Sequence, residues 1–224
     1  MATRFITKNG RRIPLDNGKG GAAVAAVVVV LGLTGSAGLG GGVGSSGSSP
    51  GGSAGSVGSS NVAARKAEGQ KAARRGDRDG AWQRMGMRRL NEKLERQWEC
   101  LSASHGEIRE FFTRTPCTSL DRMVIAVGDD VGNSAVVSLV WVGFRNKGDL
   151  REFKRIEDRQ GSGDVHPLGA PVLGLADIAF TGLNYGVQTT GTSITVAEAE
   201  TATGHVDRET LDALAEVAAC LPRP

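Results

Sequence analysis

Hydrophobic positions are unevenly spread along this chain. From Ala22 to Leu33 (AAVAAVVVVLGL) there is no charged or polar side chain, and the uncharged run continues through Thr34-Gly35-Ser36-Ala37-Gly38 to Leu39. A lone segment crossing lipid must satisfy its own backbone hydrogen bonds, and about eighteen residues is near the lower limit for a hydrocarbon core of roughly 30 Å. The pattern predicts a transmembrane helix over 22–39, acting as a signal anchor. Two alternatives stay open. One is a cleaved signal peptide, with Gly35-Ser36-Ala37 at small-residue cleavage spacing. The other is a buried Ala/Val helix of a soluble chain, for which the run lacks an amphipathic period. Residues 40–60 are nine glycines and eight serines with Pro50. Such a segment cannot bury enough apolar surface to offset its ordering entropy and reads as a tether. Residues 61–80 are Ala/Gly-rich and charged, without an apolar stripe, so the disordered linker is expected to span 40–80.

From Ala81 the pattern becomes periodic, and residues 81–222 are expected to form the folded domain. Met87, Leu90, Leu94, Trp98 and Leu101 recur at spacings of three and four, which predicts a helix packing on its own domain. A short dimerising coiled coil through Met87, Leu94 and Leu101, giving a weak homodimer, is the alternative. Ser104 and Glu107 suggest a capping box for a second helix through Ile108, Phe111 and Phe112, stopped at Pro116. Residues 122–129 and 134–144 are β-branched and joined by turn residues, a hairpin. Leu150, Phe153 and Ile156 mark a surface helix over 147–159, and 161–174 is a loop. Residues 176–181, 184–189 and 193–200 read as strands, and Asp207 caps a last helix to Leu221. The expected fold is α+β: a mainly antiparallel sheet of about five strands covered by helices on one face.

Charge sharpens the placement. Net charge is +4 over residues 1–19, +6 over 65–97 and −7 over 98–224. By the positive-inside rule residues 1–21 stay in the cytoplasm and the domain lies outside the cell membrane. The basic segments flank an uncharged run instead of forming one patch, which argues against nucleic acid as a partner. The expected partners are the membrane, through a single span, and an envelope ligand or protein.

Candidate chemistry is sparse. Cys100 and Cys117 flank one short helix, so a bridge could staple its ends; a bridge from either to Cys220 is the alternative. There is no C-x-x-C and no H-E-x-x-H, and no catalytic, cofactor-binding or metal-ligating residue is assigned. His105-x-Glu107 lacks the cysteine pair of a deaminase zinc site. Asp129 and Asp130 sit where a hairpin turns. The densest small-polar cluster is Gly161-Ser162-Gly163-Asp164-Val165-His166. Its glycines permit close backbone approach, so Gly161, Gly163, Asp164 and His166 are a candidate ligand loop, an ordinary helix-to-strand connection being the plainer reading. The functional expectation is a non-catalytic binding or sensing domain. The alternative is an exported or membrane-anchored hydrolase using carboxylates or His166.

Further landmarks are Cys100 before a short helix, Pro116-Cys117-x-x-Leu120, Val137–Val142, Phe153 through Gly161–Val165, and Phe180-Thr181-Gly182-x-x-Tyr185. With the basic N-terminus, apolar span and Gly/Ser tether, they make the chain resemble a group of uncharacterised actinobacterial single-pass membrane proteins, over roughly residues 98–200. The resemblance implies an exported α+β domain with a Cys100–Cys117 bridge, and carries over no activity or ligand residue.

Overall fold

The computed structural model describes residues 54–97, 99–159 and 161–224, with side chains from residue 61 onward, and two short strands nearer the N-terminus. Those strands, β1 (Arg4–Lys8) and β2 (Arg11–Leu15), pair antiparallel. The expected span over 22–39 and the Gly/Ser tract as far as residue 53 lie outside the described residues. Among the described residues no helix is long and apolar enough to cross a membrane.

The domain is α+β, built on a five-stranded antiparallel sheet. Its strands are β3 (Arg88–Gln97), β4 (Ser119–Gly128), β5 (Ser134–Gly143), β6 (Tyr185–Thr190) and β7 (Ser193–Thr203), in the spatial order β3-β4-β5-β7-β6. β5 is central and every one of its residues is buried. A strand covered on one face alternates apolar and polar; the unbroken run AVVSLVWV belongs to a strand covered on both.

Both faces are in fact covered, which corrects the expectation of helices on one face. On the first, Met123, Ile125, Val127, Val137, Leu139, Trp141, Ala197 and Ala199 pack with α1 (Ala54–Arg74), α2 (Arg78–Arg84) and α5 (Arg208–Ala218). On the second, Leu120, Val140, Val142, Ile194 and Val196 pack with α3 (Gly106–Arg114) and α4 (Lys147–Glu157). There Phe111, Phe112, Phe144 and Phe153 form a cluster with ring centroids 5.2 to 6.4 Å apart. The rest of that face is covered by irregular chain that includes one short 3-10 turn, Ala170–Leu173. Leu168 and Ala170 bury against Val124 and Val136, with Ile178 and Phe180 packed beside them.

Four further expectations change. The charged stretch 61–80, expected as linker, belongs to α1 and α2. Its packing face is made of Val62, Ala72 and Ala73, and Gly69 lets α1 approach α5 closely: a Cβ there would stand 3.0 Å from Val217. An apolar stripe of alanine and glycine is too small to register as one, yet it permits close helix contact. The segment 65–97 is therefore part of the folded unit, whose net charge over 65–224 is −1.

The helix expected over Met87–Leu101 is instead strand β3, antiparallel to β4 with an irregularity between Arg89 and Asn91. Leu90 and Leu101 are 49% and 38% exposed, so the three-and-four spacing does not describe a buried face. The outer side of β4 needs a ladder partner, and the charged edge strand RRLNEKLERQ provides one that resists further pairing. The coiled-coil homodimer loses its helix with it. Residues 176–181 run as covering loop, so the sheet reaches five strands by gaining β3 in place of that segment. The capping box is absent too. His105 is the α3 N-cap without a side-chain bond, Ser104 Oγ donates to the Leu101 carbonyl at 3.2 Å, and Glu107 pairs with Arg159.

Cys100 and Cys117 are disulfide-bonded, with Cα atoms 6.2 Å apart. Closing that loop contributes about 3 kcal/mol on the chain-entropy model. Cys220 is free and buried in the core on the opposite side of the sheet, out of reach of either bonded cysteine. Asp129 does hold the hairpin turn, accepting from the Val131 and Asn133 backbone N–H groups at 3.0 and 2.8 Å.

Candidate functional site

Three carboxyl groups, from α4, the loop that follows it and the more distant β7, meet beside the edge strand β6. Burial of Leu150, Phe153 and Ile156 fixes the rotation of α4 and places Glu157 at its C-terminal end, against the sheet. On β7 the residues facing this side alternate Ile194, Val196, Glu198, so Glu198 takes a position that an aliphatic side chain would otherwise fill. It is 8% exposed and lies directly opposite Tyr185 of β6 and Ser138 of β5.

Asp164 is brought in by the 161–166 loop, which docks on the entry to α3. His105 N–H donates to the Asp164 carbonyl at 2.9 Å, Glu107 N–H to the Ser162 carbonyl at 2.6 Å, and His166 N–H to the Ala103 carbonyl at 2.6 Å. The contact works because Gly106 and Gly163 have no side chains. A Cβ on Gly163, at φ +123°, would stand 2.3 Å from the His105 carbonyl oxygen.

The carboxyl groups form a hydrogen-bonded chain, Glu157 to Asp164 and Asp164 to Glu198, so protons are held between them. Burial is the first cause that raises all three above the ordinary carboxylate range, and their mutual repulsion adds to it for Glu157 and Glu198. Glu157 is raised well above that range, and Glu198 is pushed up to about 7. Glu198 also accepts from Gly182 N–H at 2.7 Å, and Asp164 from Val165 N–H at 2.5 Å. Burial and the neighbouring carboxylates raise the Tyr185 phenol as well, so it stays protonated.

A cavity of about 720 Å³ wraps β6 and borders this cluster. Glu157, Asp164, Tyr185 and Glu198 line it, with Phe180, Leu183 and Val187 as apolar wall. Of the candidate loop, Gly161, Gly163 and Asp164 line the cavity. Gly163 serves backbone docking, and Asp164 alone of the three brings chemistry. His166 does not line the cavity. Its ring stacks on His105, centroids 4.7 Å apart, and burial followed by the charge of His105 lowers its affinity for a proton. Among the described residues no group of three or more His, Cys, Asp or Glu side chains is placed to hold a metal ion.

Glu157 and Glu198 were not singled out in the sequence, and Tyr185 stood there only as a landmark of the resemblance. A signal was present for Glu198: in Ile194-x-Val196-x-Glu198 a carboxylate continues an aliphatic face.

The shifts make stability depend on pH with a definite sign. Glu198 holds its proton up to about 7 when folded, against 4.5 for the ordinary group, so the folded state binds more protons across that window. Stability therefore falls as pH rises through it, by about 3 kcal/mol at most for this group. Glu157 and Asp164 act in the same direction. His166, depressed when folded, opposes them near neutrality, where its contribution is lost as pH falls. Urea unfolding midpoints should be higher at about pH 5 than at about pH 8. Glu198→Gln, which keeps an acceptor for Gly182 N–H, should flatten the difference. A variant with the wild-type slope would remove Glu198 from this role.

No protein-family model, curated protein or solved structure matches this chain.

Proposed function

We propose that the chain is a single-pass membrane protein presenting this domain outside the cell as a binding or sensing module, with the basic N-terminus in the cytoplasm. The observation that carries the reading is the cavity beside β6. It is a concave site with apolar walls and a few convergent polar groups, the usual form of a small-molecule site. The Cys100–Cys117 bond supports placement in an oxidising compartment. The +4 charge preceding the apolar run supports the orientation. Protease added to intact cells should degrade the domain, followed with an antibody against an α5 peptide. Protection until the membrane is breached would overturn the placement.

A second reading, an exported hydrolase, draws support from the carboxyl chain. Acids tuned toward neutrality and sharing protons are the equipment of general acid–base hydrolysis. Turnover of an ester or acetal substrate that Glu198→Gln abolishes, in a variant as stable as wild type, would favour this reading.

A further inference from the structure

The sheet has an outer strand on each side, β3 and β6, and the two are finished differently. An open edge offers unpaired backbone N–H and C=O groups to another chain, and proteins commonly blunt it with charges, proline or bulges. β3 is blunted by Arg88, Arg89, Glu92, Lys93, Glu95 and Arg96 and by its irregular register. β6, with the sequence YGVQTT and an unbroken register, has none of these devices. No charged side chain occurs between Asp177 and Glu198.

The alternation of the ladder shows which backbone groups of β6 are left over. Ala199 N–H donates to the carbonyl of Asn184, the residue just before β6, at 3.0 Å. In an antiparallel pair every second residue turns its N–H and C=O toward the neighbouring strand. Gly186, Gln188 and Thr190 therefore bond to β7, and Tyr185, Val187 and Thr189 turn their backbone groups away from the sheet. Among the described residues, only Gln188 Nε2 reaches these outward groups, donating to the Thr189 carbonyl at 3.2 Å.

We infer that β6 is a pairing edge for a second copy of this chain, joining two domains antiparallel about a twofold axis at Val187. The inference goes beyond the binding reading: it uses backbone groups of the edge, not the carboxyl groups beside it.

The choice of occupant follows from the symmetry of this edge. In that register Val187 of one protomer meets Val187 of its partner, and Tyr185 meets Thr189. All three have outward backbone groups, so each N–H of one copy finds a carbonyl of the other. The facing side chains are aromatic and β-branched, which are favourable cross-strand neighbours. No like charges are brought together, as they would be if the β3 edge paired with itself. A twofold contact uses the same patch on both copies, so it closes at a dimer. The axis relating two antiparallel strands stands perpendicular to the sheet, so both copies keep α1 on the same face. Both upstream segments then leave from one side of the shared sheet, which suits two copies anchored in one membrane.

The test is sedimentation equilibrium of the full-length protein in density-matched neutral detergent. The wild type should fit a reversible monomer–dimer equilibrium with no larger species. Val187→Pro removes the central outward N–H and spares the β7 ladder, as proline can on an edge strand. It should weaken dimerisation at least about tenfold, with an unchanged urea m-value as the check on folding. Thr189→Lys puts a charge at an exposed edge position and should weaken dimerisation comparably. It keeps the test decisive should the proline variant unfold. Lys93→Ala, on the opposite edge, should leave the equilibrium unchanged. A wild type that stays monomeric would overturn the inference, whether β6 then remains bare or takes a peptide of another protein. A dimer that folded β6 variants retain, or that Lys93→Ala abolishes, would overturn it as well. Loss of the dimer in the β6 variants of a domain that proves cytoplasmic would overturn the placement alone and leave the pairing edge standing.

Discussion

Gly163→Ala should lower the free energy of unfolding by about 4 kcal/mol, the joint cost of overpacking and of a strained backbone. The added Cβ would stand 2.3 Å from the His105 carbonyl oxygen, 2.8 Å from Gly106 Cα and 3.0 Å from Glu107 N. All three are backbone atoms, so no flexible side chain can yield, and φ at +123° already excludes an unstrained alanine. Relief requires the loop to lift from the α3 entry, giving up the His105–Asp164, Glu107–Ser162 and His166–Ala103 backbone hydrogen bonds. Asp164 would then leave Glu198, and the fall in stability toward alkaline pH should shrink with it. Gly161→Ala is the matched control. Its φ is +83° but nothing lies within 4 Å of the added carbon, so it should cost only about 1 to 2 kcal/mol for the left-handed backbone. Urea unfolding of both variants decides the matter. A Gly163→Ala protein no less stable than Gly161→Ala would mean that the tight backbone contact does not hold the loop.

Arg223→Ala should cost about 3 to 5 kcal/mol, the range for stripping a buried charge of its only partner. Asp121 is 1% exposed and sits on β4 facing the first core; Arg223 Nε donates to its Oδ2 from the C-terminal tail, while Oδ1 has no partner. The tail is held in place by Trp141, whose Nε1–H donates to the Leu221 carbonyl at 3.1 Å in the core. Arg223 is itself 49% exposed, so its own desolvation is modest and its loss falls mainly on Asp121. The double variant Asp121→Asn with Arg223→Ala should recover part of the deficit, since the amide carries no charge to leave unpaired. Thermal unfolding of the two single variants and the double one measures the coupling. Coupling within about 0.5 kcal/mol of zero would show that solvent already satisfies Asp121.

The parts of the fold that were legible are those where side-chain pattern and local chemistry agree. The β4–β5 hairpin carries β-branched runs around an Asp129–Asn133 turn. In α4, Leu150, Phe153 and Ile156 are all buried, and Asn146 accepts from the first-turn N–H groups. In α5, Asp207 accepts from Thr210 N–H at 2.9 Å, as a capping aspartate should. The disulfide was legible as the favoured one of three pairings, because Cys100 and Cys117 bracket a single short helix. Where pattern misled, a distant partner had overruled it. The spacing from Met87 to Leu101 suits a helix, but β4 lacks a neighbour on that side and the ladder claims those residues. The alanine and glycine face of α1 is silent on any hydrophobicity scale, and becomes a packing surface only once α5 lies against it.

The candidate site divides along the same line. Gly161, Gly163, Asp164 and His166 stood out as a dense small-polar loop, and three of the four do reach the cavity. The sequence by itself determined that a charge-free apolar segment precedes a cysteine-bearing α+β domain, since those features follow from local composition and short-range periodicity. Only the tertiary structure decided that the sheet is covered on both faces, that the basic stretch 65–97 belongs to the folded unit, and that Glu157, Asp164, Glu198 and Tyr185 share one cleft. Each of those facts depends on contacts made in the folded chain, and burial together with mutual repulsion raises Glu157 and Glu198 above the ordinary carboxylate range.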